Sequence, residues 1–336
     1  MKTGLRIVLT AAVYIATVKC GGVSPGSGGT FQAMPFRSVG GGDQEAVASN
    51  PITQARNSSI LLSAASQDLL YVADLSRVRI FSYPAGRDKG KLTGFYFATG
   101  ACVDQSGNVY ITDQGQHAVF EYAHGGMKRL RTLHPGLAFG CSIDPMTGNL
   151  AVADGATGPT GRGTAGNLAI YLSARGKPKY YRDSAFHFYY FCGYDNQGNL
   201  FMDGDATAEP YSVVFAELPR GGSKLETITL NHSLGYAGGV QWDGTNVAIT
   251  DPHANAVYQF AINGSQAALV GTTPLNGTNS IIQPWIQGQK IIVPNALVPG
   301  GNVLIYKYPA GGAPIKKITS GRWVEPQGAT ISKAPS

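Results

Sequence analysis

Acidic residues recur at one position of a repeated sequence pattern, at the end of a short apolar segment. Four segments end in Asp, a fifth ends in Asn, and a sixth carries two Asp residues around a glycine. These seven residues are Asp74, Asp113, Asp154, Asp203, Asp205, Asp251 and Asn295. Converging carboxylate and amide oxygens could hold a hard divalent cation, and an anionic ring could attract a basic ligand. The alternative is structural, because Asp commonly accepts backbone N–H groups of its own turn.

Motifs for several other reactions do not occur in the sequence. It contains no zinc-protease, nucleophile-elbow, phosphate-loop or dithiol redox motif. Six histidines are spread through predicted loops and strand ends, and we expect a surface scatter rather than a ligand set. The catalytic residues of any enzymatic activity are therefore not identified by motif.

The acidic positions lie on strands that recur with a spacing of roughly 40 to 50 residues, the size of a four-stranded propeller blade. Most units place a Gly-Asn or Gly-Thr-Asn turn before the acidic strand, and most have a Pro/Gly or Gly/Gly break after the third strand. Six such units fit in residues 51–336. The sequence predicts an all-β, six-bladed β-propeller of four-stranded antiparallel blades.

The C-terminal segment Trp323–Ser332 looks like a first strand with no blade after it. The segment Ile60–Ser66, which precedes the second strand of the first unit, is a weak strand by comparison. We therefore expect the C-terminal strand to become the innermost strand of the first blade and to close the ring.

The segment Asp104–Asp113, with sequence DQSGNVYITD, resembles an NHL repeat. Residues from about 55 to 333 resemble a six-bladed NHL or TolB-like propeller, and the Tyr-Pro-Ala-Gly-Gly element is similar to that of uncharacterised exported bacterial propeller proteins. The resemblance implies a fold rather than an activity, since such propellers include binding modules, lactonases and lyases. Gluconolactonase-like members would use a channel divalent cation, but their early Glu-Gly-Pro signature is missing here, and Glu325 has a different context.

Aromatic residues concentrate on predicted inner strands. The run Phe186–Tyr194, FHFYYFCGY, would form the inner strand of the fourth blade, and Trp242, Trp285 and Trp323 lie on or beside other inner strands. Packing between blades is the first interpretation. The second is a stacking surface for a sugar or an aromatic ligand in the channel.

Three cysteines lie on the inner strands of the second, third and fourth blades. Cys102 lies two residues before the following Asp, whereas Cys141 and Cys192 lie three residues before theirs. Because side chains alternate between faces, this phase favours a Cys102–Cys141 disulfide over Cys141–Cys192. Three buried thiols are an equally open alternative.

The N-terminal residues indicate export from a bacterial cell. Lys2 and Arg6 precede the apolar run Ile7–Val18, and Cys20 follows, so residues 1–20 resemble a signal peptide with a lipidation site at Cys20. Residues 21–50 read as a flexible Gly/Ser/Pro tether. Without residues 1–19 the net charge is 23 − 20 = +3, too small to indicate nucleic-acid binding.

These observations favour a non-enzymatic binding or scaffolding propeller at the cell envelope, periplasmic or lipid-anchored. We expect a monomer without a cofactor, a protein or small-molecule or carbohydrate ligand, and membrane contact only through a lipid anchor. The acidic face and the Gly/Thr-rich loop 155–166 are the expected binding surface. The alternative is a metal-dependent hydrolase or lactonase that holds a divalent cation in the channel.

Overall fold

The structure is a computed structural model that describes residues 58–156, 165–206, 212–296, 300–320 and 322–335. The expected signal peptide with Cys20, the tether 21–50 and residues 157–164 of the expected binding loop lie outside the described residues. The described chain contains twenty-four β-strands and two short 3₁₀ turns, at Leu62–Ala64 and Leu172–Ala174. No helix in this part of the chain is long and apolar enough to cross a membrane.

The strands follow one another along the whole described chain. The first twelve are β1 (Ser59–Ile60), β2 (Leu69–Ser82), β3 (Asp88–Val103), β4 (Val109–Asp113), β5 (Ala118–Tyr122), β6 (Arg129–Leu133), β7 (Ala138–Ile143), β8 (Leu150–Ala156), β9 (Ala165–Tyr171), β10 (Lys179–Tyr181), β11 (Phe186–Tyr194) and β12 (Leu200–Ala206). The second twelve are β13 (Val213–Leu218), β14 (Glu226–Thr227), β15 (Thr229–Leu230), β16 (Val240–Trp242), β17 (Val247–Asp251), β18 (Ala256–Asn263), β19 (Gln266–Pro274), β20 (Trp285–Gln287), β21 (Lys290–Asn295), β22 (Asn302–Lys307), β23 (Lys316–Ile318) and β24 (Pro326–Ser332).

Four-stranded antiparallel sheets are the repeating unit, and they are arranged as a propeller. Three sheets have the strand orders β10-β9-β8-β7, β11-β12-β13-β14 and β20-β21-β22-β23. A five-stranded sheet has the order β15-β19-β18-β17-β16, and a seven-stranded sheet has β24-β2-β3-β4-β5-β6 with β1 on β3. The sequence predicts six separate four-stranded sheets. The described residues agree with the all-β architecture, but their strands are divided among five sheets of four, five or seven strands.

The five-stranded sheet differs from the prediction because of β15. This strand pairs in parallel with β19, and the backbone N–H of Thr229 donates to the carbonyl of Ser265 at 2.9 Å. The side chain of Asn231 also accepts the N–H of Leu269 at 2.7 Å. The chain that leaves one sheet thus covers the edge of the next, which satisfies otherwise open backbone groups.

The seven-stranded sheet contains a strand that reverses. An extended chain from Asp68 to Tyr83 would span roughly 50 Å. Instead, the N–H of Tyr83 donates to the carbonyl of Asp68 at 2.7 Å, so β2 folds back on itself. The first half of β2 pairs with β24, and its second half pairs with the first part of β3. The second part of β3 pairs with β4.

The C-terminal strand β24 joins the beginning of the described chain. It pairs antiparallel with β2, with Leu69 opposite Ser332 and Ala73 opposite Gly328. The prediction that the C-terminal strand pairs with the first unit is confirmed. The weak N-terminal segment contributes the two-residue strand β1 at another position, against β3.

The hydrophobic core lies in the seams between neighbouring sheets. In β21, Ile291 and Val293 pack with residues of β17 and β18, whereas Ile292 packs with residues of β2 and β24. Successive side chains along a strand point to opposite faces of the sheet, so each strand contributes apolar side chains to the seams on both of its faces. This explains why the acidic strands read as nearly continuous apolar runs.

The turns before these strands have the conformation that their glycines predict. Gly107, Gly148, Gly198 and Gly244 have φ values of +82°, +70°, +86° and +105°. L-residues with a side chain rarely adopt this region, whereas glycine adopts it freely. The same turn chemistry therefore recurs in four units.

The side chain of His124 holds the end of β24 through Ser332, a contact that we call the histidine clasp. Nδ1 of His124 lies 2.6 Å from Oγ of Ser332, and that hydroxyl donates to the carbonyl of Gly107 at 2.6 Å. Ser332 is fully buried, and the neighbouring Ala334 N–H donates to Asp68 at 2.9 Å. Burial lowers the pKa of His124 below its usual range, and contacts with Gln67 and Asp68 oppose this effect.

We expect this clasp to weaken in mild acid. Because the pKa is lowered in the folded state, the folded chain favours neutral His124. The contribution of His124 to the free energy of unfolding is therefore complete above the unfolded pKa of about 6.5 and falls as pH drops through the folded pKa. The melting temperature of the parent should decline more steeply between pH 7.5 and 5.5 than that of His124→Gln. Parallel curves for the two proteins would contradict this role of His124.

Candidate functional site

Asp113, at the end of β4, holds the middle of β3, where the chain enters the sheet of β4. Its carboxylate accepts the backbone N–H groups of Tyr96 and Phe97 at 2.8 and 2.9 Å, and that of Gln116 at 3.1 Å. The side-chain amide of Gln116 donates to it at 2.8 Å. The side chain is fully buried, so its oxygens serve the fold.

Equivalent residues in other sheets act in the same way. Asp74 accepts the N–H groups of Val324 and Glu325 at 2.8 and 2.7 Å. Asp251 and Asn295 accept N–H groups from the loops before β16 and β20, at 2.7 and 3.1 Å. All three are buried. Each therefore fixes the position at which the chain enters an inner strand.

Asp154 is also buried, against the backbone of Gly136. A Cβ atom at Gly136 would lie only 2.2 Å from the carboxylate, which shows how closely the loop approaches. The carboxylate also accepts the side-chain amide of Asn167 at 3.0 Å. Asp154 is therefore enclosed by its own sheet and by the loop before β7.

The unit formed by β11–β14 departs from this arrangement. Gly204 takes the equivalent position, where the backbone of β11 approaches so closely that a Cβ atom on Gly204 would lie 1.9 Å from the carbonyl oxygen of Phe188. Asp203 instead joins two sheets, accepting the N–H groups of Phe191 at 3.0 Å and Gly238 at 2.9 Å. Burial raises the pKa of Asp203 well above its ordinary value, against these backbone hydrogen bonds.

Asp205 is the half-buried member of the predicted set. Its carboxylate accepts the hydroxyl of Tyr190 at 2.9 Å. Burial raises its pKa, and the Tyr190 hydrogen bond and the nearby His187 oppose this shift. The ring of Tyr190 packs against Phe139 and Phe188, with centroids 5.0 and 6.0 Å apart.

The acidic positions therefore do not form an open anionic funnel among the described residues. Six of the seven predicted side chains are buried, and backbone or neighbouring side-chain groups occupy their oxygens. In the described ranges, no group of three or more His, Cys, Asp or Glu side chains converges as a metal site would require. The physical reason is that each loop needs acceptors for its N–H groups.

We expect Asp113→Ala to destabilise the fold by roughly 2–4 kcal/mol, because it removes a fully buried carboxylate that accepts three backbone N–H groups. Urea unfolding measures this change. The exposed Glu226 provides the control, and Glu226→Ala should stay within about 0.5 kcal/mol of the parent. Equal stability of the two variants would contradict the loop-holding role.

The inner strands approach one another closely at the centre of the ring. Gln283, which precedes β20, crosses to another inner strand, where its amide accepts the N–H of Ala101 at 2.9 Å and donates to the carbonyl of Ala101 at 3.1 Å. Its backbone bridges to β24 at Gly328. Cβ atoms on Gly328 and Gly100 would lie 2.8 and 3.0 Å from its Oε1, so these glycines leave the space that Gln283 fills.

A pocket of about 310 Å³ lies beyond Gln283, at the ends of the inner strands remote from the acidic positions. Inner strands of five successive units line it. In β7, for example, Ala138 pairs with Asp154 at one end, whereas Ile143 at the other end lines the pocket. We call this space the channel pocket.

Aromatic side chains form much of the channel-pocket wall. Tyr194, Trp242 and Trp285 come from three successive inner strands and are each half-buried. Nε1 of Trp285 donates to Gln287 at 3.1 Å. Nε1 of Trp242 is buried and has no acceptor within the described chain. The pocket lining thus includes three aromatic residues, which also pack against the seam clusters of their sheets.

The pocket lining carries little charge. Asp195 is its one ionisable acid, and the described lining includes no Lys, Arg or His. The oxygens of Asp195 accept backbone N–H groups of Gln197 and Asn199, both at 2.8 Å, and the side-chain amide of Asn199. The amide of Gln241 is likewise paired with the backbone of Ile286. This chemistry suits a neutral ligand.

The other predicted aromatic residues serve the core. Phe186 and Tyr189 of β11 are buried in one seam, and Phe191 is buried in the next. Trp323 is buried elsewhere, with its ring centroid 5.5 Å from that of Phe81. These residues follow the packing interpretation, and ligand stacking by Trp242 and Trp285 stays a prediction.

Cys102 and Cys141 form a disulfide in the channel-pocket wall, with Cα atoms 5.7 Å apart. This is the pairing that strand phase favours. Cys192 is a free, buried thiol, and burial raises its pKa. A thiol held neutral in this way is not an activated nucleophile.

Removal of the disulfide should destabilise the fold substantially. The bridge closes a sequence separation of 39 residues, which corresponds to about 4 kcal/mol in the chain-entropy account. We expect Cys102→Ser/Cys141→Ser to lower the free energy of unfolding by about 2–4 kcal/mol in urea titrations. Cys192→Ser tests thiol loss alone, and a larger effect from it would contradict this account.

Comparison with known proteins supports the fold assignment. No protein-family model and no curated protein matches the chain. A chain from a crystal structure of a nidogen/laminin complex matches with a TM-score of 0.63 and 13% identity, covering 80% of this chain and 100% of that one. Proteins of unknown function from Bacteroides caccae (TM-score 0.58, 11% identity) and Desulfotomaculum acetoxidans DSM 771 (0.53, 11%) also cover 80% of this chain, and 99% and 100% of their own. These similarities concern the fold alone.

Proposed function

We propose that this protein is an exported, six-bladed binding propeller that holds a small neutral ligand in the channel pocket. The observation that carries the proposal is the meeting of Tyr194, Trp242 and Trp285 around one pocket without a free charge. Pockets for small ligands are typically concave, aromatic-lined and supplied with few polar groups. The proposed binding site lies at the end of the channel opposite the acidic positions.

The count of six blades rests on the reversal within β2. If β2 supplies two strands, and β3 supplies the outer strand of one blade and the inner strand of the next, the seven-stranded sheet comprises two four-stranded blades. The other four sheets each supply one blade. NHL- or TolB-like repeats are consistent with this count.

The disulfide supports the proposed location. Structural disulfides persist in oxidising compartments such as the bacterial periplasm. Cys102–Cys141 therefore fits export by residues 1–20 and a position at the cell envelope, with or without lipidation of Cys20. The nidogen/laminin neighbour is part of a protein complex, which agrees with a binding role for this fold.

The chemistry of the pocket favours a carbohydrate-class ligand. A volume of about 310 Å³ is near the lower limit of small-molecule pockets and suits one or two rings. Tryptophan and tyrosine offer flat apolar faces, on which sugar rings can stack. An anionic ligand would find no cation in the described lining, and the carboxylate of Asp195 already accepts N–H groups of its own turn.

A metal-dependent hydrolase or lactonase remains the alternative hypothesis, but no observation in the described residues favours it. The carboxylate of Glu325 accepts the amide of Gln327 at 2.7 Å, and the acidic positions hold loops. Elemental mass spectrometry before and after chelation tests this alternative. About one retained divalent ion per chain would favour it.

The binding proposal can be tested by calorimetry of residues 21–336 with a panel of neutral mono- and disaccharides. We expect at least one member to bind, and Trp242→Ala or Trp285→Ala to weaken binding by about tenfold, the value of a lost aromatic contact. Trp323→Phe is the matched control, because Trp323 is buried and does not line the pocket. Absence of binding, or equal losses in all three variants, would contradict the proposal.

A further inference from the structure

The outer edge of the unit β7–β10 carries an unusual concentration of positive charge. Between residues 172 and 182 it has four exposed cations, Arg175, Lys177, Lys179 and Arg182, and no acid. The corresponding stretches after β13, β18 and β22 carry net charges of +1, 0 and +2. The stretch after β5 in the preceding unit carries +3, so positive charge is concentrated on this edge and on the neighbouring one.

The same stretch exposes two large apolar side chains. Leu172 is 70% exposed and Tyr180 is 49% exposed. We define these two residues and the four cations as the basic outer patch. None of the four cations has a salt-bridge partner in the described chain. Nζ of Lys179 lies 4.6 Å from the ring centroid of Tyr181.

The basic outer patch continues onto the neighbouring unit. Nη1 of Arg131 in β6 donates to the carbonyl of Ala174 at 2.9 Å, which joins β6 to the turn at the beginning of the patch. That strand adds the exposed Leu130, and the residue just before it adds the exposed Lys128. Arg131 itself forms a salt bridge with Glu121 at 2.9 Å. Because Glu121 is paired with Arg131, it does not neutralise the four cations of the patch.

We propose that the basic outer patch docks on an anionic phospholipid membrane. The cations would lie against lipid phosphates, and Leu172 and Tyr180 would enter the interfacial layer. Lys and Arg are attracted to an anionic membrane surface, and tyrosine favours the headgroup level. This contact is direct, in addition to any lipid on Cys20, and is independent of the channel pocket.

The apolar members favour a membrane over a soluble polyanion. A nucleic acid or an acidic polymer would use the cations but gains little from an exposed leucine. A membrane uses both, because apolar side chains beside cations partition into the interface. The two partners therefore differ in how binding depends on Leu172.

The test is co-sedimentation of unlipidated residues 21–336 with vesicles of phosphatidylcholine containing 30% phosphatidylglycerol (roughly one anionic lipid in three). All described strands lie within this chain. We expect binding that falls as salt rises and that disappears on pure phosphatidylcholine. Lys177→Glu/Lys179→Glu and Leu172→Ser/Tyr180→Ser should each lower the partition coefficient by about tenfold or more.

The matched control is Lys224→Glu/Lys307→Glu, which changes the net charge equally at two exposed residues elsewhere. It should retain most of the binding. Absence of binding to anionic vesicles, or equal losses from both charge reversals, would overturn the proposal. Full vesicle binding by Leu172→Ser/Tyr180→Ser would also overturn it and would indicate a soluble polyanion as the partner. Unchanged melting temperatures show that each variant is folded.

Discussion

The centre of the ring depends on the side chain of Gln283. This amide binds both backbone groups of Ala101, and the Gln283 backbone is bridged to Gly328 on the closing strand. Three separate parts of the chain are thereby held at one point, where glycine is needed because a Cβ atom would meet Gln283 or a backbone carbonyl. The close approach separates the loop-holding acidic positions from the channel pocket, and the two ends can therefore have different chemistry.

The repeated features of the fold were predictable because local chemistry determines them. Glycine turns, apolar strands and the unpaired C-terminal strand each left a signal in the sequence, and each occurs as expected. The number of separate sheets was not predictable, since it depends on where β2 reverses and on β15 pairing in parallel with β19. These are properties of tertiary hydrogen bonding, to which short-range patterns are insensitive.

The candidate site was harder to predict. The recurrence of Asp marked a real structural equivalence, but the need of buried N–H groups for acceptors explains it without a ligand. Trp242, Trp285 and Trp323 look alike in sequence. All three pack in seams, but only Trp242 and Trp285 also line the pocket. Tyr194 gave a partial signal as the last residue of the aromatic run. The channel pocket and the basic outer patch are both built from residues that are not shared by every repeat unit.

The most direct test of a binding site in the channel pocket is fluorine NMR of residues 21–336 labelled with 5-fluorotryptophan. The chain contains three tryptophans, and each resonance can be assigned by substitution. A sugar that binds should shift the resonances of Trp242 and Trp285 while that of Trp323 stays in place. A shift confined to Trp323, or no shift at saturating ligand, would contradict the account.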